Sequence, residues 1–258
     1  MGSSVIEVGP PLAVVLVVLV VIAALAGRWS GLGQARPILV ASLRAVVQLA
    51  VVSAVLLIVI RSLWLSAAFV LVMIGVATAT TAGRATGLPL RAPGRRHRLL
   101  PVAATVTGGA APIAALIVLS GAVPFRGEAL IPVAGILIGG SMTAASLAGR
   151  RLREELRTRR GEVEAALALG LGRRDAVLEV TRPAAATSLV PALDQTRTVG
   201  LVTLPGAFVG VLLGGGTPAE AGAAQLLVLI GLLAAETIVV WVMTEFVARG
   251  RVLDDVPR

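Results

Sequence analysis

The chain has 258 residues, 57% of them hydrophobic, and a formal net charge of +9. Its mean hydropathy of +0.94 excludes a soluble domain with a wettable surface, so we expect an integral membrane protein. All 23 basic residues are arginine, which excludes a phosphate-binding loop and a Schiff base because both require lysine. Hydrolysis of ATP, if it is used, must come from a partner chain.

Cysteine and histidine usage narrows the chemistry further. The sequence has no cysteine and one histidine, which excludes thiolate zinc sites, disulfides and a two-histidine metalloprotease helix. The positive charge does not indicate nucleic acid, because arginine clusters normally flank the cytoplasmic ends of membrane spans. We expect a non-enzymatic chain in the lipid bilayer, with no cofactor bound to it and no nucleic-acid partner.

Seven apolar windows are long enough to cross the ~30 Å hydrocarbon core as helices. The predicted fold is an all-α polytopic membrane protein, with residues 1–258 forming one transmembrane permease domain. The predicted spans are about 10–26, 37–60, 63–82, 99–120, 129–148, 198–213 and 218–248. A polar cytoplasmic segment, 150–197, separates the fifth span from the sixth.

The first two spans carry few polar residues. Glu7 precedes the first span without a nearby arginine, so we expect a retained helix with its N-terminus outside. Arg44 and Gln48 lie four residues apart in the second span and share a helical face. Arg44 is placed either to anchor the helix at the inner interface or to contact a transported substrate.

The sixth predicted span is rich in glycine and proline. Pro205 lies in its interior, which predicts a kink, and three glycines spaced four residues apart predict close packing against another helix. These glycines are Gly206, Gly210 and Gly214. The candidates for the transport path or the kink are Thr198, Gly200, Pro205 and Gly206.

Two side chains in other spans are candidate functional groups. Glu236, near the middle of the seventh span, either serves a transport pathway or proton-linked step or is a hydrogen-bonded packing residue. Met142, in the fifth span, is either a soft metal ligand or a packing residue. These two residues are the candidates for metal binding, and the residue pattern does not identify a metal.

The distribution of arginine predicts how the spans are oriented. With the N-terminus outside and the C-terminus inside, 20 of the 23 arginines lie in inner segments, and two, Arg61 and Arg126, lie outside. Loops rich in arginine remain on the cytoplasmic side. We therefore expect a multi-pass protein of the cell membrane, inner or plasma, in this orientation.

The polar segment contains a helix–turn–helix pattern. A short amphipathic helix around Glu164 is expected to end at Gly170, and a second helix to be halted by Pro183. Small residues beside leucine give the first helix a low apolar surface that fits a groove on a partner. The alternative is a helix lying on the inner lipid surface. The expected docking residues are Glu164, Ala165, Ala166, Leu167, Gly170 and Pro183.

This pattern resembles the EAA-type cytoplasmic loop of ABC-transporter permeases. The family pattern is EAA, three residues, glycine, nine residues and an Ile-x-Leu-Pro end, and the chain departs from it at Val180 and Arg182. More narrowly, four motifs are similar to those of the FetB family of permeases. They are LALG at 167–170, LVP at 189–191, TVGLVTLPG at 198–206 and GGTP at 215–218.

The resemblance implies the permease subunit of an ABC transporter, in a family associated with ATP-driven export of metal ions, chiefly iron, and with plant aluminium tolerance. It implies a homodimer that docks cytoplasmic ATPase chains, with ATP and Mg²⁺ bound in the partner. Gly140 and Ala207-Phe208 depart from the family, which favours asparagine and paired methionines there. The alternatives are a stand-alone secondary transporter that uses Glu236 and a membrane scaffold or sensor without transport.

Overall fold

The computed structural model describes residues 9–88 and 95–253. Three residues that enter the expectations about orientation, Glu7, Arg91 and Arg258, lie outside the described residues. The chain separates into two compact units, the first ending at Arg61. The expectation of one membrane domain stays a prediction.

The described residues form helices and contain no strand, as predicted. The first unit contains α1 (Pro10–Trp29) and α2 (Ala35–Val59). The second contains α3 (Leu63–Thr86), α4 (Arg95–Leu119), α5 (Gly127–Thr158), α6 (Arg160–Ala168), α7 (Arg173–Ala186), α8 (Val190–Thr198), α9 (Gly206–Leu213) and α10 (Pro218–Ala248). A short 3₁₀ turn, Thr187–Leu189, joins α7 to α8.

The first unit is a pair of apolar helices joined by a tight turn. Gly31 has a φ of +69°, a conformation that residues with a Cβ rarely adopt. At Gly27 the helices approach so closely that an added Cβ would lie 2.9 Å from Ile38 Cδ1. Arg44 and Gln48 both lie within α2, about one helical turn apart, so they share a face as the spacing predicts.

In the second unit, α3 and α5 run in the same direction. A Cβ built on Gly135 of α5 would lie 3.1 Å from Met73 Cε of α3. One built on Gly149, further along α5, would meet Ala85, further along α3. Residue numbers therefore rise together along the two helices, and glycine permits the close approach.

The last long helix, α10, also runs parallel to α5. Gly140 of α5 faces Leu232, and a Cβ built on Gly149 would lie 3.8 Å from Met243 Cε. The start of α10 is fixed by a capping box, in which the Thr217 hydroxyl accepts the Glu220 amide and the Glu220 carboxylate accepts the Thr217 amide. A threonine followed three residues later by glutamate is the sequence pattern of this cap.

Helix α4 runs against the direction of these three helices. Gly109, in its middle, faces Ala235 and Val239 of α10, whereas Ile117, near its end, lies 3.1 Å from a Cβ built on Gly231. Residue numbers thus fall along α10 as they rise along α4. The short loop 120–126 between α4 and α5 follows from this antiparallel arrangement.

The predicted sixth span, 198–213, does not form one spanning helix. Six helices of the described residues are long and apolar enough to cross a membrane, namely α1 to α5 and α10. Helix α9 has eight residues, about 12 Å at 1.5 Å per residue, against ~30 Å of hydrocarbon. The expectation of seven continuous spans is therefore wrong at this segment.

Residues 173–213 instead follow α10 from its end to its beginning. Arg174, at the start of α7, forms an ion pair with Glu245 near the end of α10. The start of α8 lies beside Glu236. The Phe208 amide of α9 donates to Gln225 Oε1 at 3.3 Å, near the beginning of α10. We call this path the discontinuous crossing.

Residues 199–205 break the crossing because glycine and proline enclose a hydrogen-bonded turn. Gly200 has a φ of +80°, and its amide donates to the Thr203 carbonyl at 2.9 Å. Pro205 then precedes α9 as its N-cap residue, with a ψ of 165°. Proline has no amide hydrogen for a preceding helix. The break is thus wider than the single kink expected at Pro205.

The predicted glycine ridge of the sixth span is not a close contact in the described chain. A Cβ built on Gly206 or Gly210 would meet no atom there within 4 Å. The close helix contacts are made at Gly109, Gly140 and Gly149 instead. The expectation of tight packing was wrong because α9 is short and touches other elements mainly at α10.

Candidate docking site and transport path

The candidate docking site is built on the far end of α5. This helix has 32 residues, about 48 Å at 1.5 Å per residue, whereas the hydrocarbon core is ~30 Å thick. Residues 150–158, expected to belong to the polar segment, are its last turns. Only Arg159 separates α5 from α6, so α6 follows the long apolar helix α5 with almost no connecting chain.

Helix α6 ends in a glycine turn of the kind that the sequence predicts. Gly170 has a φ of +90°. Its amide donates to the Leu167 carbonyl at 2.9 Å, and the Leu171 amide reaches back to the Ala166 carbonyl at 3.1 Å. This Schellman arrangement directs the chain sharply into α7. Together, α6 and α7 form a helical hairpin.

The second helix of the hairpin does not stop at Pro183. Helix α7 continues through this exposed proline to Ala186. The φ of proline is compatible with a helix, and the missing amide hydrogen of Pro183 removes only a local backbone hydrogen bond. Arg159 donates to the Val180 carbonyl at 3.3 Å in the same turn. The expected halt at Pro183 is wrong.

Arg159 joins three helices. Its guanidinium donates to Glu155 of α5 at 3.0 Å and forms a second ion pair with Glu162 of α6. The hydrogen bond from Arg159 holds the pKa of Glu162 below its usual value. Because the same guanidinium also reaches Val180 of α7, one side chain braces the base of the hairpin.

A second ionic contact attaches the hairpin to α10. Arg174 donates to both oxygens of Glu245, at 2.6 and 2.9 Å, in the bidentate geometry of strong arginine–carboxylate pairs. Arg249 donates to the same carboxylate at 2.6 Å. The bond to Glu245 raises the pKa of Arg174. Sequence reasoning missed this pair, whose members lie 71 residues apart.

The expected docking residues are divided between the core and the surface. Val163 is fully buried, and Ala166 and Leu167 are partly buried against the core beneath the hairpin. Leu169 is 82% exposed. We call the exposed group the hairpin tip; it consists of Glu164, Ala165, Ala168, Leu169 and Gly170. Its surface is apolar and of low relief, with Glu164 at one side.

The four path candidates of the sixth predicted span lie at the break in the discontinuous crossing. Thr198 ends α8, and its hydroxyl donates to the Asp194 carbonyl at 2.9 Å. Gly200 forms the turn, while Pro205 and Gly206 begin α9. They therefore belong to an irregular segment, of the kind that lines binding sites in transporters.

The two candidate metal ligands have different surroundings. Met142 is partly buried against the core, and its carbonyl accepts the Thr81 hydroxyl at 3.4 Å, which agrees with a packing role. Glu236 is half-buried on α10, beside Gly140. Across the residues that the structure describes, no three His, Cys, Asp or Glu side chains are grouped to hold a metal ion.

Long apolar helices, a discontinuous crossing and a braced polar hairpin define a multi-pass α-helical membrane protein. Residues 12–251 match the uncharacterised protein family UPF0014. The chain belongs to this family. No solved structure matches it.

Named relatives come from plants and bacteria. The UPF0014 membrane protein STAR2 of Oryza sativa is 34% identical over 80% of this chain and 71% of its own length. The protein ALUMINUM SENSITIVE 3 of Arabidopsis thaliana is 33% identical over 56% of this chain and 55% of its own. The probable iron export permease protein FetB of Escherichia coli is 28% identical over 52% of this chain and 51% of its own. The resemblance to the FetB family is confirmed.

Proposed function

We propose that the chain is the membrane-spanning permease subunit of an ABC transporter that exports a metal ion such as iron. A separate cytoplasmic ATPase docks on the hairpin tip and binds the ATP and Mg²⁺, since this chain has no lysine for a phosphate-binding loop. Two permease chains and two ATPase chains form the proposed complex. It lies in the inner or plasma membrane, with the hairpin tip in the cytoplasm.

The observation that carries this proposal is an exposed apolar side chain at the end of a braced hairpin. Leu169 is 82% exposed, although it lies in a segment whose neighbours Val163 and Leu167 pack inward. A leucine flanked by small residues fits the hydrophobic groove of a partner. The hairpin tip thus has the shape and chemistry of a helix-in-groove ligand.

The braces explain how such a partner would act on the membrane bundle. Displacement of the hairpin tip would pull α5 through Arg159 and α10 through the Arg174–Glu245 pair. These two helices pack against each other along the bundle, at Gly140 and Gly149. A movement of the ATPase would therefore be transmitted to α5 and α10, the two helices beside the discontinuous crossing.

A metal ion is the proposed cargo because of the relatives. The name of the Escherichia coli relative includes iron export, and that of the Arabidopsis relative refers to aluminium. Direction and cargo are tested together by loading cells with iron and comparing its efflux with and without the permease. Unchanged efflux of iron would contradict this cargo.

The docking site is tested by changing Leu169 to glutamate. If the hairpin tip enters a groove, the new carboxylate is desolvated without a partner, at roughly 2 kcal/mol or more. We expect at least a tenfold loss of the ATPase that co-purifies with the permease from native membranes, measured by mass spectrometry. Leu169 suits this test better than Ala166, which packs against the core.

The matched control is Leu169→Met, which keeps an apolar side chain of similar volume and should retain the ATPase. Both variants should elute like the wild type in size-exclusion chromatography, because Leu169 has little contact with the rest of the chain. Undiminished ATPase recovery with Leu169→Glu would contradict docking at the hairpin tip. It would favour the alternative in which α6 lies on the lipid surface.

A further inference from the structure

A cavity of about 270 Å³ lies where the discontinuous crossing passes α5 and α10. The polar residues that line it are Glu236, Thr143, Ser188 and Gln195. The Thr143 hydroxyl donates to the Gly139 carbonyl at 3.0 Å and keeps its oxygen lone pairs, whereas the Ser188 hydroxyl is enclosed by the protein. No arginine or histidine is among the described residues that line it. The single formal charge of the cavity wall is therefore negative.

Two of these groups have unused hydrogen-bonding capacity. Ser188 is 3% exposed, and its hydroxyl makes no hydrogen bond within the described chain. Glu236 likewise has no hydrogen-bond or ion-pair partner among the described residues. Buried polar groups are normally satisfied, and carboxylates inside membrane spans are normally paired or face a ligand. The Glu236 carboxylate thus lines the cavity without a protein partner among the described residues.

Gly140 provides the room that the carboxylate occupies. A Cβ built on this glycine would lie 2.7 Å from Glu236 Oε1 and would collide with Leu232. Any larger residue at position 140 would displace the Glu236 side chain from this wall. The placement of the carboxylate at the cavity therefore depends on a specific packing arrangement of α5 and α10.

We propose that this cavity binds a hard divalent cation, with Glu236 as the anionic ligand and Thr143 and Gln195 supplying neutral oxygens. Oxygen donors without nitrogen or sulfur suit hard cations, and Met142 does not line the cavity. The volume of about 270 Å³ also accommodates several waters of ~30 Å³ each. The cation is held partly hydrated, which compensates for the small number of charged ligands.

This proposal depends on the proposed function in one respect only, namely that the bound cation is the transported ion. Its position beside the discontinuous crossing then places the cargo between the two helices that the hairpin braces, α5 and α10. Binding itself requires neither the ATPase nor transport. It can be measured on the purified full chain.

The experiment titrates Mn²⁺, a paramagnetic hard divalent cation, into the purified chain in detergent and follows free Mn²⁺ by electron paramagnetic resonance. We expect saturable binding with one site per chain. Glu236→Gln, which is nearly isosteric, should weaken binding at least tenfold, and Gln195→Ala should weaken it several-fold. Mg²⁺ in excess should displace Mn²⁺, whereas the soft cation Ag⁺ should not.

The matched control is Asp194→Asn, which removes an equal charge on α8 outside the cavity, where Asp194 pairs with Arg197 at 3.6 Å. It should leave Mn²⁺ affinity unchanged. Absence of saturable binding by the wild type, or an unchanged affinity in either cavity variant, would overturn the proposal. Should Glu236→Gln aggregate, Gln195→Ala, at an exposed position of the lining, decides the question. Absence of Mn²⁺ binding by the wild type, together with normal ATPase docking, would refute this site alone. Mn²⁺ binding by a chain that docks no ATPase at the hairpin tip would refute the docking proposal alone.

Discussion

Gly149 is a contact residue because α3 leaves no room for a larger side chain at this point of α5. A Cβ built on it would collide with that of Ala85 and lie 3.1 Å from the Ala85 Cα. Backbone atoms of a packed helix do not yield as the end of a flexible side chain does. Gly210, by comparison, faces open space within the described chain.

We therefore predict that Gly149→Leu destabilises the bundle and that Gly210→Leu does not. Overpacking at Gly149 should cost about 1–3 kcal/mol, since α3 and α5 must separate. The measurement is the thermal unfolding midpoint of each purified variant in the same detergent, with the wild type alongside. Equal midpoints for the two variants would show that the α3–α5 contact is not tight at this glycine.

Spacing alone does not distinguish these two glycines. Three glycines of the sixth predicted span repeat at the interval typical of close helix contacts, namely Gly206, Gly210 and Gly214. Whether a glycine makes such a contact depends, however, on which helix lies beside it. Gly149 has a small residue, Ala148, before it and arginine after it, so its sequence surroundings indicate the end of a span. The contact with Ala85 depends on the pairing of α3 with α5, which the sequence does not encode locally.

At the scale of elements, the α6–α7 hairpin combines a local turn with distant braces. The turn was predictable, because a glycine four residues after Ala166 satisfies the last carbonyls of α6 within a few residues of chain. The Arg174–Glu245 brace was not, because many arginines and carboxylates are available and the packing of α7 on α10 selects one pair. Local hydrogen bonds can thus be predicted from the sequence, whereas ion pairs between distant residues cannot.

The hairpin turn provides a matched pair of glycine variants. Gly170→Ala should strain the turn by about 1–2 kcal/mol, because its φ of +90° is unfavourable for a residue with a Cβ. Gly161→Ala lies inside α6 with open space around it and should be neutral or stabilising by up to about 1 kcal/mol.

The readout is amide hydrogen exchange of residues 160–186 in the purified chain, which requires no partner. Exchange should accelerate in Gly170→Ala and slow or remain unchanged in Gly161→Ala. If Gly170→Ala exchanged at the wild-type rate, the left-handed turn would not be the constraint that holds α6 against α7.

At the scale of the whole molecule, hydropathy located six of the spans, and for five of them both predicted ends lie within four residues of the helix ends. Helix α5 is the exception, since it continues beyond its apolar part to Thr158. The prediction of the sixth span was wrong for a different reason. An apolar window indicates that a segment avoids water, but it does not indicate the backbone conformation of that segment. Residues 199–205 are apolar enough for a span, but Gly200 and Pro205 direct their backbone into a turn.

The discontinuous crossing also decides which loops share a side of the membrane. In the second unit, α3, α5 and α10 run in one direction, while α4 and the discontinuous crossing run in the other. The loop before α5 and the turn before α10 therefore lie at one end of this unit, and the end of α5 lies at the opposite end. The arginine distribution predicts that the end of α5 is cytoplasmic.

Single cysteines test this arrangement directly, because the chain has none of its own. Arg126→Cys and Thr217→Cys should react with a membrane-impermeant maleimide in intact cells, whereas Thr158→Cys should react only after the cells are opened. All three positions are exposed, while the neighbouring Gly127 is buried and unsuitable. Without a crossing between α5 and α10, Thr217→Cys would be protected together with Thr158→Cys. That result would mean that the broken segment returns to the cytoplasmic side, and the route along α10 would have to be abandoned.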